Sequence, residues 1–340
     1  MPVSLGSCMS TLNFGTPHAG EVKVLVAGGS GVIGRPLVSQ LVEAGHEVVA
    51  TTRSPAKAAA LSSAGATPLV LDALDIEAVR RAVHEARPEA IIHQLTALPA
   101  KYEPTKPEFY ADTNRLREET TRQLLGAGQE VGLRRFVFQS ICFMYRLEGP
   151  MVLDESAPVA DAPGTVFGEA VRSTIAGEEL ALGTGGVDGV VLRYGQLYGP
   201  GTYYSRDGDF GQRAHSRMLP VVGHGRGTFS FLHVEDAASA AVAALQRGGG
   251  VYNVADDEPA QQREWLPVFC DAIGAPRPWR VPVWLARVIA GSFVVDNVVN
   301  GRGATNAKAK EELGWTPSFP TWRTGFYETT AAGSGERAAR

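Results

Sequence analysis

The chain has 340 residues, of which 44% are hydrophobic and 20% charged, a composition typical of a globular protein with a substantial core. Its formal net charge of −4 gives no support for nucleic acid or an anionic membrane as the main partner. No apolar run approaches the ~18 residues of a membrane span. The three cysteines are too few and too scattered for a disulfide framework or a zinc site, so we expect a cytoplasmic protein.

Residues 1–20 show neither a periodic apolar pattern nor a strand signal. The segment around Cys8 faintly resembles a lipoprotein cleavage site, but no basic stretch and no apolar run of ~7–15 residues precedes it. We therefore expect a disordered leader.

The first half of the chain alternates short β-branched runs with longer helical stretches. The pattern predicts strands at 22–27, 47–52, 67–71, 90–95 and 134–139. It predicts helices at 33–45, 55–63, 74–87 and 108–130. Such alternation is typical of βαβ units. We therefore expect an α/β fold of Rossmann type, with a doubly wound parallel sheet in a nucleotide-binding domain over 21–195.

The second half is less regular. A helix at 168–183 and a strand at 189–193 precede a glycine-dense stretch, 198–228, which we expect to form long binding loops. Further elements are predicted at the positions that follow: helix 234–247, strand 251–254, and helices near 263–273 and 282–291. We expect a small discontinuous substrate-binding lobe over 196–330, with some return to the sheet near 228–255, and a tail at 331–340.

A glycine motif follows the first strand and opens the first helix. Gly28, Gly31 and Gly34 have the spacing that lets a backbone turn tightly and approach a pyrophosphate, whose charge then faces the helix N-terminus. The strand–loop–helix context raises this motif above chance. The residues expected to contact the cofactor here are Gly28, Ser30, Gly31, Val32, Ile33 and Gly34.

The second strand ends at Arg53, where a carboxylate would bind a ribose 2′-hydroxyl and repel a 2′-phosphate. A charge-assisted contact contributes roughly 1.5–3 kcal/mol, enough for a tenfold or greater preference. Arg53 therefore favours NADP, and NAD remains the alternative.

Other cofactor contacts are expected where later strands end. Asp72 and Ala73 follow the third strand, and Asp72 is a candidate partner for the adenine ring or a helix cap. Leu95, Thr96 and Ala97 end the fourth strand, and the remaining candidates are Asn114 on the long fourth helix and Tyr194 after the sixth strand.

From about residue 22 to 327, the order of these motifs resembles the extended short-chain dehydrogenase/reductases, the NAD(P)-dependent epimerase/dehydratase-like group. The resemblance rests on the glycine loop at 28–34 and on further segments at 93–97, 113–114, 192–201, 231–236 and 313–317, together with Ser140 and Glu178. It implies a two-lobed Rossmann protein that holds a small-molecule substrate between the lobes, as a monomer or a homodimer.

In that family a serine polarises the substrate carbonyl, a tyrosine exchanges the proton, and a lysine four residues later lowers the pKa of the tyrosine. Anchoring on Glu178 places Ala170 and Thr174 at the tyrosine and lysine positions. No register shift restores the pair, because residues 155–185 contain neither tyrosine nor lysine. The literal Tyr-x-x-x-Lys at 102–106 is interrupted by proline, and we interpret it as a coincidence in a loop.

Four residues are candidates for the catalytic roles. Ser140 stands where the resemblance places the carbonyl-binding serine, although a serine at a strand end also satisfies backbone groups. Tyr145, Tyr198 and Glu169 are the candidate replacements for the tyrosine, with packing or surface roles as the alternatives. No cluster of side chains has metal-ligand spacing.

Three functions follow from this pattern. The first is an NADP-dependent reductase or epimerase that acts on a small carbonyl or hydroxyl compound with a relocated proton donor. The second is a non-redox lyase, dehydratase or cyclase that uses the same cleft. The third is an NADP-binding regulatory protein.

Overall fold

Seven parallel strands form the centre of the protein in the computed structural model, which describes residues 20–337. In chain order the strands are β1 Lys23–Ala27, β2 Glu47–Thr52, β3 Thr67–Val70, β4 Ala90–His93, β5 Arg135–Ile141, β6 Asp188–Tyr194 and β7 Gly250–Val254. Across the sheet they run β7-β6-β5-β4-β1-β2-β3, and every neighbouring pair is parallel. The order reverses beside β1, which is where open parallel sheets bind ligands.

Helices cover both faces of this sheet. The helices that connect its strands are Gly34–Glu43, Pro55–Ser63, Ile76–Ala86, Val166–Gly183, Val234–Gln246 and a long helix between β4 and β5. The long helix has three consecutive parts, Ala111–Arg115, the π-helical turn Leu116–Thr120 and Thr121–Val131. Short 3-10 helices lie at Pro107–Phe109 and Cys142–Met144.

The alternation of side chains along β1 shows why both faces are covered. Val24 and Val26 pack into a core with Leu37, whereas Leu25 and Ala27 pack into a second core on the other face. A strand that is apolar on both sides must be covered on both sides, as in doubly wound parallel sheets.

The C-terminal part adds helices and short strand pairs. The helices are Asp209–His215, Gln262–Ala272, Val283–Ala290, Ser292–Asn300, Ala307–Leu313 and Trp322–Arg337. The short pairs are Val152–Leu153 with Gly303–Ala304, Gln196–Tyr198 with Phe231–His233, Val221–Val222 with Arg280–Val281, and Thr228–Phe229 with Ala260–Gln261. Part of this region packs around an aromatic core that is built from Tyr198, Tyr204, Phe231, Trp265, Phe269, Trp322 and Phe326.

The α/β fold with its parallel sheet is confirmed, and the predicted strands of the first half are all present. One expectation was wrong: the stretch 198–228 is not only loops, because it contains the helix Asp209–His215 and a strand. The helix Trp322–Arg337 spans residue 330, and the division into domain and tail there stays a prediction. The expected leader lies outside the described residues. No described helix has the length and hydropathy needed to cross a membrane.

Candidate active site

A cleft of about 1490 Å³ opens along the carboxyl edge of the sheet. Its walls come from the loop after β1, from the residues at or after the ends of β2 to β6, and from the segment 195–209. Pockets for drug-sized ligands usually measure ~300–1,000 Å³. The cleft therefore has room for a dinucleotide together with a small substrate.

Glycine shapes the loop after β1 at two positions. Gly28 has a φ of +95°, which side chains rarely adopt, and its N–H donates to the Thr51 hydroxyl at 2.9 Å. A Cβ on Gly34 would overlap the carbonyl oxygen of Gly28, so glycine lets the first helix begin against the loop. The predicted residues that line the cleft here are Gly28, Ser30, Gly31, Val32 and Ile33, whereas Gly34 lies outside the lining.

The end of β2 holds this loop and offers positive charge. The Ser30 hydroxyl lies 2.8 Å from the hydroxyl of Thr52, which is buried. Arg53 follows as an exposed side chain and lines the cleft together with Ser54 and Lys57. No carboxylate occupies this strand end.

The other predicted cofactor residues divide into two groups. Those that line the cleft are Asp72, Ala73, Leu95, Thr96, Ala97 and Tyr194. Asp72 accepts the N–H of Leu74 at 3.0 Å, so it has a local structural role, while Asp75 caps the next helix. Asn114 is absent from the lining, and its side-chain oxygen is buried without a hydrogen-bond partner.

Ser140 points away from the cleft. Its hydroxyl donates to the carboxylate of Glu178 at 2.5 Å, and the residue is 0% exposed. The β5 residues that line the cleft are its neighbours Gln139 and Ile141, followed by Phe143. Successive side chains of a strand face opposite sides of the sheet, so Ser140 faces away from the cleft while its neighbours face it. The apolar side chain of Ile141 therefore lies in the cleft where the carbonyl-binding serine was expected.

Tyr145 belongs to the same buried network as Ser140. Glu178 and Arg193 form an ion pair with 2.6 and 2.9 Å contacts, and Arg193 donates to the Tyr145 hydroxyl at 3.0 Å. That hydroxyl donates in turn to Asn253 at 2.8 Å. Burial raises the pKa of Tyr145 to about 12, although Arg193 opposes the shift. Tyr145 is absent from the cleft lining.

The two remaining catalytic candidates are Tyr198 and Glu169, and neither directs its polar group into the cleft. Tyr198 lines the cleft, but its hydroxyl is buried without a hydrogen-bond partner and packs against Gly325. Glu169 is exposed in the first turn of its helix and is absent from the lining. The structure therefore does not bring Ser140, Tyr145 and Glu169 into the cleft.

The residues at the positions expected for the tyrosine and the lysine are also turned away from the cleft. Ala170 and Thr174 are buried, and the Thr174 hydroxyl donates to the Ala170 carbonyl within the helix at 2.6 Å. Neither residue lines the cleft. The Tyr-x-x-x-Lys match in the loop also separates, because Tyr102 lines the cleft while Lys106 pairs with Glu103 on the surface.

Polar and aromatic side chains form one wall of the cleft, and among them Arg117, Tyr110, Phe109 and Phe143 were not predicted from the sequence. Arg117 lies in the π-helical turn and lines the cleft near Tyr110, and both are buried. Phe109, Phe143 and the loop residue Tyr203 complete an aromatic lining. A charged residue inside the predicted helix 108–130 was the one signal available for Arg117.

His93, at the end of β4, holds the π-helical turn in place. Its Nε2 lies 3.2 Å from the Leu116 carbonyl oxygen, which can only accept, so Nε2 carries the proton. Its Nδ1 accepts the Leu95 N–H at 3.3 Å. Burial lowers the pKa of His93 to about 4, which keeps the ring neutral at physiological pH.

The chain is similar to known proteins both in sequence and in fold. The sequence model of the NAD dependent epimerase/dehydratase family matches residues 24–255. The chain is 45% identical over 307 residues to the 3-diazoavenalumate denitrifying reductase of a Streptomyces species, covering 90% of this chain and 99% of that protein. It also matches the UDP-glucose 4-epimerase of Thermus thermophilus in complex with NAD, with 25% identity, a TM-score of 0.70 and coverage of 92% and 99%. The human epimerase family protein SDR39U1 with NADPH matches with 21% identity, a TM-score of 0.67 and coverage of 91% and 99%.

The first prediction concerns the buried ion pair. Replacing Glu178→Gln leaves Arg193 as an uncompensated buried charge, which we expect to lower the free energy of unfolding by about 3–5 kcal/mol. The matched control is Glu119→Gln, which breaks an exposed pair with Arg115 and is expected to cost about 0.3–0.5 kcal/mol. Urea unfolding measures both. Equal losses in the two variants would contradict the structural role.

The second prediction concerns pH. The folded-state pKa of His93 is about 4 against 6.5 for an ordinary histidine, so the unfolded chain binds more protons between these values. We therefore expect wild type to lose stability relative to His93→Gln as the pH falls from 6.5 to 4. Urea unfolding across this range measures the difference, in which the contributions of all other groups cancel. A difference that stays constant with pH would show that His93 is not buried in its neutral form.

Proposed function

The chain belongs to the NAD dependent epimerase/dehydratase family and is an NAD(P)-dependent oxidoreductase, and we propose that it is an NADPH-dependent reductase that removes a diazo group from a small aromatic acid. In the proposed reaction the C–N bond of an arenediazonium breaks, dinitrogen leaves, and a hydrogen takes its place. The cation ArN₂⁺ and one hydride become ArH and N₂, so atoms and charge balance without an added proton.

The observation that carries this proposal is that the positions which the family pattern gives to the tyrosine and the lysine, Ala170 and Thr174, supply no proton donor to the cleft. A carbonyl gains a hydride as an alkoxide, which needs a proton, and the tyrosine of the family serves this step. A diazonium is already cationic, and its reduction needs no acid. Ala170 and Thr174 provide none, and both are buried outside the cleft lining.

The tyrosines that do line the cleft are poorly suited to replace that donor. Burial raises the pKa of Tyr102 to about 12 and raises the pKa of Tyr110 further. A lysine partner in the family has the opposite effect, because it lowers the pKa of its tyrosine. The 45% identity to a reductase whose name states a diazo substrate and a loss of nitrogen gives independent support.

The residues present fit a dinucleotide. Glycine occupies three positions of the loop at 28–34 where a side chain would not fit. At Gly28 the backbone conformation would be strained, and at Gly31 and Gly34 a Cβ would meet the backbone of the loop itself. We propose that Gly28, Ser30, Gly31, Val32 and Ile33 hold the pyrophosphate and that Arg53 binds a 2′-phosphate. When bound, the nicotinamide supplies two electrons and a hydrogen as hydride. Leu95, Thr96, Ala97 and Tyr194 would then lie along the central part of the cofactor.

The substrate end of the cleft suits a planar ring. Its lining includes the aromatic side chains of Tyr102, Phe109, Tyr110, Phe143 and Tyr203. Tyr102 packs edge-to-face on Phe109, Tyr203 and Phe210, with ring centroids 5.1–5.4 Å apart, so this wall is held in place. We propose that these rings bind the arene and exclude water from the reacting carbon.

The third prediction tests the reaction. With NADPH deuterated at the transferable position and a diazotised 3-amino-4-hydroxybenzoate, we expect one N₂ per NADPH oxidised and deuterium at the ring carbon that carried the diazo group. With ordinary NADPH in D₂O, we expect no solvent deuterium there. Mass spectrometry of the product measures both.

The outcomes of this experiment separate the alternatives. Deuterium from the solvent at the ring carbon would contradict direct transfer of hydride from NADPH to that carbon. Turnover without cofactor oxidation would indicate the lyase, dehydratase or cyclase, and tight NADPH binding without turnover would indicate the regulatory protein. Tyr198→Phe and Glu169→Gln serve as matched variants. Loss of a general acid costs ~10²–10⁴-fold in rate, whereas we expect both variants to stay within about tenfold of wild type.

The fourth prediction tests the cofactor preference. Replacing Arg53→Ala removes one charge-assisted contact, so we expect the Kd for NADPH to rise about tenfold or more. The Kd for NADH should not change, because NADH has no 2′-phosphate, and it serves as the internal control. Titration of the intrinsic protein fluorescence measures both constants. An equal rise for the two cofactors would remove Arg53 from the proposed 2′-phosphate site.

A further inference from the structure

Arg117 is a buried cation that forms no salt bridge with a carboxylate of the described residues. The residue is 6% exposed and lines the cleft. Among the described residues, its guanidinium makes one hydrogen bond, to the Ala170 carbonyl at 3.5 Å, and no salt bridge. A guanidinium has five N–H donors, so most of them have no partner among the described residues and are free to bond a group in the cleft.

The contrast with Arg193 shows that this is unusual within the same fold. Arg193 is as deeply buried, but Glu178 accepts two of its hydrogen bonds. Glu178 also attracts Arg117, yet both of its oxygens are already engaged by Arg193, and Ser140 donates to one of them. A buried charge is costly unless it is paired, so the pairing partner of Arg117 is expected to arrive with a ligand.

The backbone around Arg117 has the form of a functional site. Arg117 lies in the π-helical turn Leu116–Thr120, and such turns inside α-helices are frequently found at functional sites. His93 bonds to the Leu116 carbonyl and so fixes the turn from the end of β4. Desolvation lowers the pKa of Arg117 to about 10, so the side chain remains cationic at neutral pH.

The location of Arg117 connects it to the reaction. Its guanidinium contacts Ala170, the position that the family resemblance gives to the proton-donating tyrosine. The cation comes from a different helix than the missing lysine and has no tyrosine at 170 to act on. Its charge is therefore available to the substrate itself.

We infer that Arg117 binds an anionic oxygen of the substrate, a carboxylate or an aryl oxide, close to the group that is reduced. The inference rests on the proposed function only for the identity of that group. Arginine is suited to this role because its fork of donors matches a carboxylate in two parallel hydrogen bonds.

The fifth prediction uses binding without turnover. Benzoate, 4-nitrophenolate and neutral nitrobenzene serve as probes of the NADP⁺-loaded protein in isothermal titration calorimetry at pH 8. We expect Arg117→Met to weaken the anionic probe that Arg117 binds by about 10- to 100-fold and to leave nitrobenzene unchanged. Selective loss of benzoate identifies a carboxylate site, and selective loss of nitrophenolate an aryl oxide site.

Two further variants keep the result interpretable. Arg115→Met removes an exposed arginine two residues away, paired with Glu119, and should bind every probe as wild type does. Arg117→Lys retains the charge and should recover part of the affinity for the anion. The unliganded Arg117→Met protein should melt at or above the wild-type temperature, because an unpaired buried charge is removed.

Unchanged anion binding in Arg117→Met would overturn the inference, and so would a strong loss of thermal stability with unchanged binding, which indicates a structural role. These outcomes are independent of the labelling experiment. Anion binding through Arg117 without diazonium turnover would refute the proposed reaction alone. Turnover with anion binding that is insensitive to Arg117 would refute the inference alone.

Discussion

The buried ion pair between Glu178 and Arg193 is the interaction around which β5, β6, β7 and the helix Val166–Gly183 are arranged. Two charges withdrawn from water must stay paired, and their remaining hydrogen-bonding capacity must be satisfied by neighbours. Ser140 and Tyr145 supply those neighbours, and Asn253 extends the network to β7. The network joins β5, β6, β7 and the helix Val166–Gly183 beneath the cleft. Its cost is that a serine and a tyrosine that could have served chemistry are committed to the interior.

Because Ser140 and Tyr145 are held in this buried network, other elements supply the polar side chains that line the cleft. The helix Val166–Gly183, which carries the tyrosine and lysine in the family pattern, places Ala170 and Thr174 outside the lining. The lining comes instead from the π-helical turn and from the loop between β4 and the long helix, with Arg117, Tyr110 and Tyr102. A cleft that retains a glycine loop but offers a cation and aromatic rings in place of the tyrosine and lysine of the family suits the proposed substrate, which accepts hydride without a proton.

The parts of the molecule that could be predicted from the sequence are those whose patterns are local. The glycine loop and the apolar strands before and after it are specified by spacing and by alternation within a few residues, and the structure has them where the sequence placed them. The reactive wall could not be predicted in this way. A shift of one residue decides whether Ser140 or Ile141 faces the cleft, and family spacing does not resolve that difference. Within the long helix, the π-helical turn changes the phase of the side chains, so a regular period of 3.6 residues does not reveal the direction of Arg117.

The charge of Arg117 also constrains which substrates this cleft can accept. Two like charges about 4 Å apart repel each other by about 4 kcal/mol at an effective dielectric constant of 20. A simple diazonium cation next to Arg117 would therefore bind poorly. A diazonium that carries an anionic oxygen is neutral as a whole, and it presents the oxygen to the guanidinium and the electron-poor nitrogen to the hydride. In the proposed reaction, a buried cation that forms no salt bridge with any described residue would select against bare cations and for zwitterionic substrates.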